Sequence, residues 1–337
     1  MKKRAIKWFA AALCLGVFLF IAFNLNHIAW LDHAVYGVVS SWISPAATTF
    51  FTLCTQLVGP LVLLVISLGL VLFLPRKEYR IPVLMNLCAA ILLNLGLKHI
   101  FTRPRPVDVV QIVVESGYSF PSGHTMAATC FYGFLIYLVW QLCTNKIWRN
   151  AITALLCTMI ALVALSRVYL GAHYFSDVLA GLCFSVFYLI VFSSIVHAFF
   201  AQEITFRPHG LRPTNSNRLL FSFLYAFEGI AAGLKSEHNM VIHFSAMTVV
   251  IVFGAMLGLS TTEWIACILL FGVVLMAELI NTAIETVVDI ICPELDPRAK
   301  LAKDTAAGAV LVASISAAII GAMIFIPKLF ELIRVEL

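Results

Sequence analysis

The chain has 337 residues, of which 62% are hydrophobic and only 12% charged, with a formal net charge of +5 and a mean hydropathy of +1.00. Such a composition excludes a disordered chain and argues against a water-soluble globular one; it is that of a helical protein crossing the membrane many times. The small positive balance sits in short connectors between apolar runs, where it reads as an orientation signal and not as a nucleic-acid surface.

The chain opens on a basic start and an apolar stretch of spanning length, MKKRAIKWFAAALCLGVFLFIAF. No small-residue cleavage site follows it, so it reads as a retained first helix. A span needs roughly 20 apolar residues. Runs of that kind lie near 7–25, 46–74, 81–101, 124–142, 148–166 and 177–201. The polar stretch QEITFRPHGLRPTNSNR (202–218), rich in Pro, Arg and Asn, marks a domain boundary. A half-polar, amphipathic segment occupies 218–236, and three more spans lie near 239–258, 261–291 and 301–327. The nine cysteines, odd in number and without CxxC pairing, read as small buried hydrophobes.

The basic connectors MKKR, PRKEYR (75–80), NKIWR (145–149) and RPHGLR (207–212) fall on one side of the first six spans. The positive-inside rule makes that side cytoplasmic, together with the N-terminus and PRAKLAK (297–303), and places the C-terminus outside. The same alternation puts KHIFTRPRP, PSGH and SRVYLGAHYFSD on the outer face, where their cations violate the charge bias and need another purpose.

Lys98 stands at the end of the third span, where Thr102, Pro104 and Pro106 stop the helix, and Arg105 follows it. Alone, Lys98 would equally be a cation snorkelling at a helix end. In PSGH, Ser122 and Gly123 open the fourth span and offer a hydroxyl and backbone N–H groups to an anion, while His124 alone would serve as a cap. In SRVYLGAHYFSD, His173 and Asp177 are four apart; on a helix the carboxylate accepts from one imidazole nitrogen and frees the other. Taken alone, that pair would also be an interfacial ion pair. Together the clusters bring three cations, two histidines, an acid and a helix N-terminus to one face, without a carboxylate cluster for a metal. That is the equipment of metal-free phosphoryl transfer: cations around the equatorial oxygens, an in-line nucleophile and an acid for the leaving oxygen.

The three motifs K-x6-RP, PSGH and SR-x5-H-x3-D, in this order, resemble the signatures of the type 2 phosphatidic acid phosphatase superfamily over roughly residues 1–200. The resemblance implies that His173 forms a phosphohistidine, that Asp177 orients it and that His124 protonates the leaving group. It further implies that Lys98, Arg105, Arg167, Ser122 and Gly123 bind the phosphate, with no cofactor. The superfamily also includes vanadate-binding haloperoxidases, which are soluble, so the spans argue against that branch. Arg103 lies outside the pattern and receives no role from it.

A second polar constellation lies in ELINTAIETVVD, where Glu278, Asn281, Glu285 and Asp289 follow at steps of three, four and four. At about 100° per residue they share one stripe of an apolar helix, a costly placement in lipid. Lys303 and Asp304 open the last span, and Glu237 lies at the membrane surface. Acids and a lysine on the cytoplasmic side suit Mg²⁺ and nucleotide phosphates, although neither a G-x4-GK[ST] loop nor a kinase glycine loop is present. From chemistry alone a cation-coupled transporter site is a rival.

AELINTAIETVVD followed by AKLAKDTAAGAVL resembles the small prokaryotic diacylglycerol kinase family over about 215–330, and KSEHNMVIH and PRAKLAKD resemble its undecaprenol kinase branch. His238 departs from the arginine expected after Glu237. The resemblance implies Glu278 as general base, Glu237 and Glu285 as Mg²⁺ ligands, and Asn281 on substrate or phosphates. Lys303 and Asp304 would hold ATP, Arg218 would act from the surface helix, and the chain would be a homotrimer with sites shared between neighbours.

The expected fold is therefore all-α: a six-span phosphatase bundle (1–201), a cytoplasmic linker (202–217) and a three-span kinase domain with an amphipathic surface helix (218–337). The expected function is production of undecaprenyl phosphate in the bacterial cytoplasmic membrane, by pyrophosphate hydrolysis outside and by Mg-ATP-dependent phosphorylation of undecaprenol inside. Its partners would be polyprenyl or glycerolipid phosphates. The alternatives are a phosphatidate (or phosphatidylglycerophosphate) phosphatase fused to a diacylglycerol kinase and, more remotely, a transporter or lipid-binding protein.

Overall fold

A computed structural model describes residues 2–200 and 218–336; the linker 202–217 lies outside the described residues, as do the side chains of residues 2, 3, 218–220, 236, 238 and 332–336. Every long element is helical. In chain order they are α1 (Lys2–Phe23), α2 (Ala29–Ser40), α3 (Pro45–Gln56), α4 (Pro60–Phe73), α5 (Arg80–Phe101), α6 (Gly123–Leu142), α7 (Lys146–Tyr169), α8 (Phe175–Phe199), α9 (Arg218–Ser236), α10 (His238–Met256), α11 (Thr261–Ile291) and α12 (Pro297–Glu336). Eight of them are long and apolar enough to cross a membrane, nine if α3 and α4 count as one bent span.

The run at 46–74, expected as one helix, is two helices bent by 47°. The break falls at Gly59-Pro60, where proline lacks the N–H that a continuous helix needs. Tyr132 Oη donates to the carbonyl of Leu57 at 3.0 Å and so satisfies one acceptor at the break. Helix α2 has no counterpart among the expected spans.

The chain divides into two compact units, residues 1–70 with 83–197 and residues 71–82 with 198–337. In the first, α6 and α7 pack along one another, with Trp140 Nε1 donating to Thr153 Oγ1 at 3.1 Å. Asn145 caps α7 by accepting from the amides of Ile147 and Trp148. Val39 of α2 and Phe51 of α3 pack with Val168 and Tyr169 of α7, and Phe18 and Ile21 of α1 pack with Phe120 and Ala180. These clusters lie under the end of the bundle where α5 and α7 finish and α6 and α8 begin.

In the second unit α11 and α12 form a long antiparallel pair. Lys303–Asp289 at 2.6 Å ties one end and Lys328–Glu263 at 3.3 Å the other. Ser260 and Glu263 close a capping box at the start of α11. The nine cysteines are unpaired; Cys54, Cys88, Cys130 and Cys267 are buried, whereas Cys157 is exposed.

Candidate active sites

The first site is assembled by the way α7 ends. Gly171 takes φ +70°, and its amide bonds the carbonyl of Val168 while the amides of Ala172 and His173 bond that of Arg167. A Cβ at Gly171 would come within 2.3 Å of the Val110 carbonyl oxygen, so glycine is required both for the backbone conformation and for the close approach of the 102–122 loop. The turn tucks His173 back toward the bundle before α8 begins.

Asp177 occupies the first turn of α8 and its Oδ2 accepts from the amide of Tyr174 at 3.0 Å, as the acid of a capping box does. The same oxygen lies 3.5 Å from His173 Nδ1. Ser119 Oγ lies 3.3 Å from that nitrogen and bonds Asp177 Oδ2. The expected pairing is present, but not by stacking on successive helical turns: His173 lies in the turn ahead of α8, and the cap geometry brings the two together. With Nδ1 directed at Asp177, Nε2 faces Arg105 Nη1 at 3.4 Å. Burial lowers the His173 pKa to about 4, outweighing the attraction of Asp177, and Arg167 and Arg105 lower it further. The ring is therefore neutral near pH 7, with the lone pair on Nε2 when Nδ1–H donates to Asp177.

Arg105 is fixed by the carbonyls of Ala172 at 2.9 Å, Ser116 at 2.9 Å and Gly117 at 3.1 Å. Arg167 donates to Thr55 Oγ1 at 2.7 Å, beside the α3–α4 break. Lys98 is within electrostatic reach of Arg105, Glu115, Asp177 and Arg167. Ser122 is the N-cap of α6, is buried, and donates its amide to the Asp177 carbonyl at 3.2 Å; Gly123 and His124 open the helix. All eight expected phosphatase residues thus meet at one end of the bundle.

Four residues that sequence reasoning did not place belong to the same site. Glu115 sends its carboxylate among the cations: Oε1 bonds Arg167 and lies 3.9 Å from His124 Nδ1, and Oε2 lies 3.3 Å from Arg105 Nη2. Burial pushes its pKa up, but Arg167, His124, His173 and Arg105 overcome this and hold it at about 2. The carboxylate is the anion that this cluster of cations holds in the structure. Arg103, left without a role, bonds Asp177 Oδ1 at 2.6 Å and Asp32 Oδ2 at 2.9 Å. Asp32, on the unexpected helix α2, and Ser119 complete the set. The PSGH motif draws attention to Ser122; nothing local marks Ser119, three residues earlier.

In the second unit, burial falls along the expected stripe. Glu278 is 1% exposed and Asn281 4%, Glu285 is half-buried, and the Asp289 carboxylate is largely exposed. Among the described residues neither Glu278 oxygen has a hydrogen-bond partner, nor does Asn281 Oδ1, whereas Asn281 Nδ2 donates to Glu285 Oε1 at 3.0 Å. His243 Nε2 lies 3.9 Å from Glu278 Oε2 and was not anticipated. An apolar cavity of about 200 Å³ adjoins them, lined by His243, Met247, Phe271, Val274 and Ser314 among others. Lys303 is held by Asp289, Asp304 is exposed, and Glu237 is the N-cap of α10. Arg218 opens α9, but its side chain lies outside the described residues.

No three His, Cys, Asp or Glu side chains gather as a metal cage among the described residues. Mg²⁺ commonly takes one or two carboxylates with phosphate oxygens and water, so Glu285 beside the orphaned Asn281 and Glu278 oxygens fits part of such a site.

Comparison with known proteins agrees with both halves. The family model "PAP2 superfamily" matches residues 80–201 and "Prokaryotic diacylglycerol kinase" matches residues 224–325. An undecaprenol kinase of Bacillus subtilis is 44% identical over 113 residues, 34% of this chain and 92% of that protein. Phosphatidylglycerophosphatase B of the same organism is 37% identical over 131 residues, 38% of this chain and 63% of that protein. The crystal structure of a transmembrane PAP2-type phosphatidylglycerolphosphate phosphatase from Bacillus subtilis superimposes with a TM-score of 0.51 at 30% identity, covering 59% of this chain and all of that one. The chain is a membrane protein that belongs to the PAP2 phosphatase superfamily through its N-terminal part and to the prokaryotic diacylglycerol kinase family through its C-terminal part.

Proposed function

We propose that the chain is a bifunctional lipid enzyme whose two reactions meet in one product. Residues 218–337 would phosphorylate undecaprenol with MgATP, and residues 1–201 would hydrolyse undecaprenyl pyrophosphate to undecaprenyl phosphate, with 202–217 as the linker. The observation that carries this reading is 44% identity to an undecaprenol kinase over 92% of its length. A phosphatase fused to such a kinase serves the same end if it takes the pyrophosphate of the same alcohol, whereas phosphatidate and diacylglycerol would set the two halves against each other.

In the phosphatase half, His173 Nε2 attacks the terminal phosphorus and the bond to the leaving oxygen breaks. His124 protonates that oxygen, and Lys98, Arg105, Arg167, Ser122 and Gly123 hold the equatorial oxygens. Water, losing a proton to His124, then attacks phosphorus; the P–N bond breaks and inorganic phosphate leaves.

In the kinase half, the orphaned Glu278 carboxylate suits removal of the proton from the lipid hydroxyl, and the adjoining apolar cavity suits the chain behind that hydroxyl. MgATP, when bound, supplies the phosphoryl group. Glu285 and Glu237 would hold the metal, Asn281 the substrate or phosphates, and Lys303, Asp304 and Arg218 the nucleotide. By charge bias the N-terminus and the kinase site face the cytoplasm and the phosphatase site faces outward, in the bacterial cytoplasmic membrane. The likeness to phosphatidylglycerophosphatase B favours a second reading, a glycerolipid phosphate as the phosphatase substrate.

The test offers the purified protein undecaprenyl pyrophosphate, undecaprenol, phosphatidylglycerophosphate and diacylglycerol in turn, with and without MgATP. Turnover of both undecaprenyl substrates is expected; turnover of the glycerolipids alone would replace the reading.

A further inference from the structure

The Asp177 carboxylate has a second, unexpected partner. Arg103 sends Nη1 to Asp177 Oδ1 at 2.6 Å and to Ser176 Oγ at 2.8 Å, and Nη2 to Asp32 Oδ2 at 2.9 Å. Its guanidinium also lies 4.0 Å over the Tyr174 ring. Asp32 is held from the other side by the amide of Ser176 at 2.7 Å and its hydroxyl at 2.8 Å. Both acids are essentially buried, at 1% and 0% side-chain exposure.

The backbone is committed to this arrangement. Thr102, just ahead of Arg103, adopts φ +44°, a left-handed conformation rarely taken by a β-branched residue. The Arg103 carbonyl then accepts from the amide of Ser119, the residue whose hydroxyl joins Asp177 to His173. Helix α2, Arg103 and the start of α8 therefore converge on the one carboxylate that orients the histidine. Arg105, two residues on, faces the other ring nitrogen.

We infer that Arg103, seated on Asp32, is a positioning residue for the phosphatase reaction: it fixes Asp177 and, through it, the orientation and basicity of His173. The inference rests on the reading of His173 as the nucleophile. It assigns Arg103 no contact with the phosphate, which distinguishes it from Lys98, Arg105 and Arg167. The charge on His173 is also faced by Asp177 from α8, Arg105 and Glu115 from the 102–122 loop, Arg167 from α7 and His124 from α6, with Lys98 of α5 acting on the same cluster.

The test uses the full chain, with the kinase rate and gel-filtration profile of the same preparation as folding controls. Arg103→Gln is expected to lower phosphatase kcat about 100-fold, less than the ~10⁴-fold known for removing an orienting carboxylate, with KM within about twofold. Without the cation, Asp177 attracts the His173 proton more strongly, so the acid limb of kcat/KM moves to higher pH. Arg103→Lys keeps the charge and the limb but recovers only part of kcat, because an ammonium cannot fork between two acids. Asp32→Asn should cost little more once Arg103→Gln is in place. An unmoved limb, a rise in KM with kcat kept, or additive losses would overturn the assignment. If the wild-type protein releases no phosphate from any lipid, the proposed reaction falls but the relay is still read by ¹⁵N NMR of His173. A protonation midpoint raised in Arg103→Gln supports the inference, and an unchanged one refutes it.

Discussion

Glu115 and Arg167 form an ion pair in which the guanidinium is 1% exposed and the carboxylate 22%, so the acid closes the cation pocket from its accessible side. In the proposed reaction a phosphoryl group reaching His173 replaces that carboxylate among Arg167, Arg105 and His124. Because its charged neighbours, Arg167 foremost, hold the Glu115 pKa at about 2, mild acid does not release it. Glu115→Gln should therefore lower KM for the phosphatase substrate and the inhibition constant of vanadate by about tenfold, or ~1.4 kcal/mol, with kcat little changed. Steady-state kinetics check this; a collapse of kcat would instead place Glu115 in the chemistry.

The environment of His173 sets a pH signature. Its pKa is lowered to about 4, so the neutral ring persists down to that value, and phosphatase activity is lost as pH falls through it, well below the usual histidine range. His173→Ala should abolish phosphate release and spare the kinase, while Asp177→Asn should keep a trace, since that carboxylate orients the ring without reacting. Full phosphatase activity in His173→Ala would exclude this histidine as nucleophile.

What the sequence made legible, and what it did not, divides along physical lines. Long apolar runs announce the spanning helices, because lipid imposes a length on them, while amphipathy marks α9 and the run at 46–74 hides the break between α3 and α4. The 12-residue α2, with Asp32 buried in it, is too short for that signal and shows itself through its packing on α7 and the bonds of Asp32 to Arg103 and Ser176. The motif residues were found because chemistry fixes their local spacing. Arg103 and Arg105 have the same side chain in the same TRPRP stretch, yet one reaches Asp177 and the other the far side of the histidine, a difference that only the folded loop reveals. Glu115 was invisible for a related reason: a loop acid carries no periodicity, and its place among the cations depends on how 102–122 folds back. The stripe on α11 was legible from helical geometry, but the gradient of burial that separates Glu278 from Asp289 comes from packing.

The two reactions should separate by metal dependence. The phosphatase pocket is lined with fixed cations, and the proposed kinase needs MgATP. EDTA is expected to stop phosphorylation of undecaprenol and leave phosphate release intact, whereas vanadate, which mimics five-coordinate phosphorus, should do the reverse. A phosphatase that requires Mg²⁺ would contradict the mechanism.

Assembly is testable by complementation. If Glu278 and Glu237 enter one site from different protomers of a homotrimer, mixing the inactive Glu278→Ala and Glu237→Ala chains should restore part of the kinase activity. In a random trimer some sites receive both intact residues, so a minor fraction of the wild-type rate is the expected yield. A monomer by light scattering, with no rescue, would refute shared sites.

The last prediction concerns the stripe and its side of the membrane. Among the described residues Glu278 has two buried oxygens without hydrogen-bond donors, and Glu285, two turns along, is half-buried with Asn281 on one oxygen. An acid in the first situation suits proton removal, and one in the second suits a cation arriving with a nucleotide. Glu278→Gln keeps the shape but not the base, so the kinase rate should fall ~10²- to 10⁴-fold with nucleotide affinity largely kept. Glu285→Gln should raise the Mg²⁺ concentration needed for half-maximal rate and be partly overcome by excess Mg²⁺. Asp289 is tied to Lys303 at 2.6 Å near the end of the α11–α12 pair, so Asp289→Asn should free that lysine and change nucleotide KM by no more than a few-fold. At this end of the pair α12 opens with PRAKLAK, the segment that charge bias holds in the cytoplasm, where ATP is available. Sealed inside-out vesicles should therefore phosphorylate undecaprenol on addition of MgATP and right-side-out vesicles should not, whereas kinase activity confined to the right-side-out preparation would show that the stripe faces the other way.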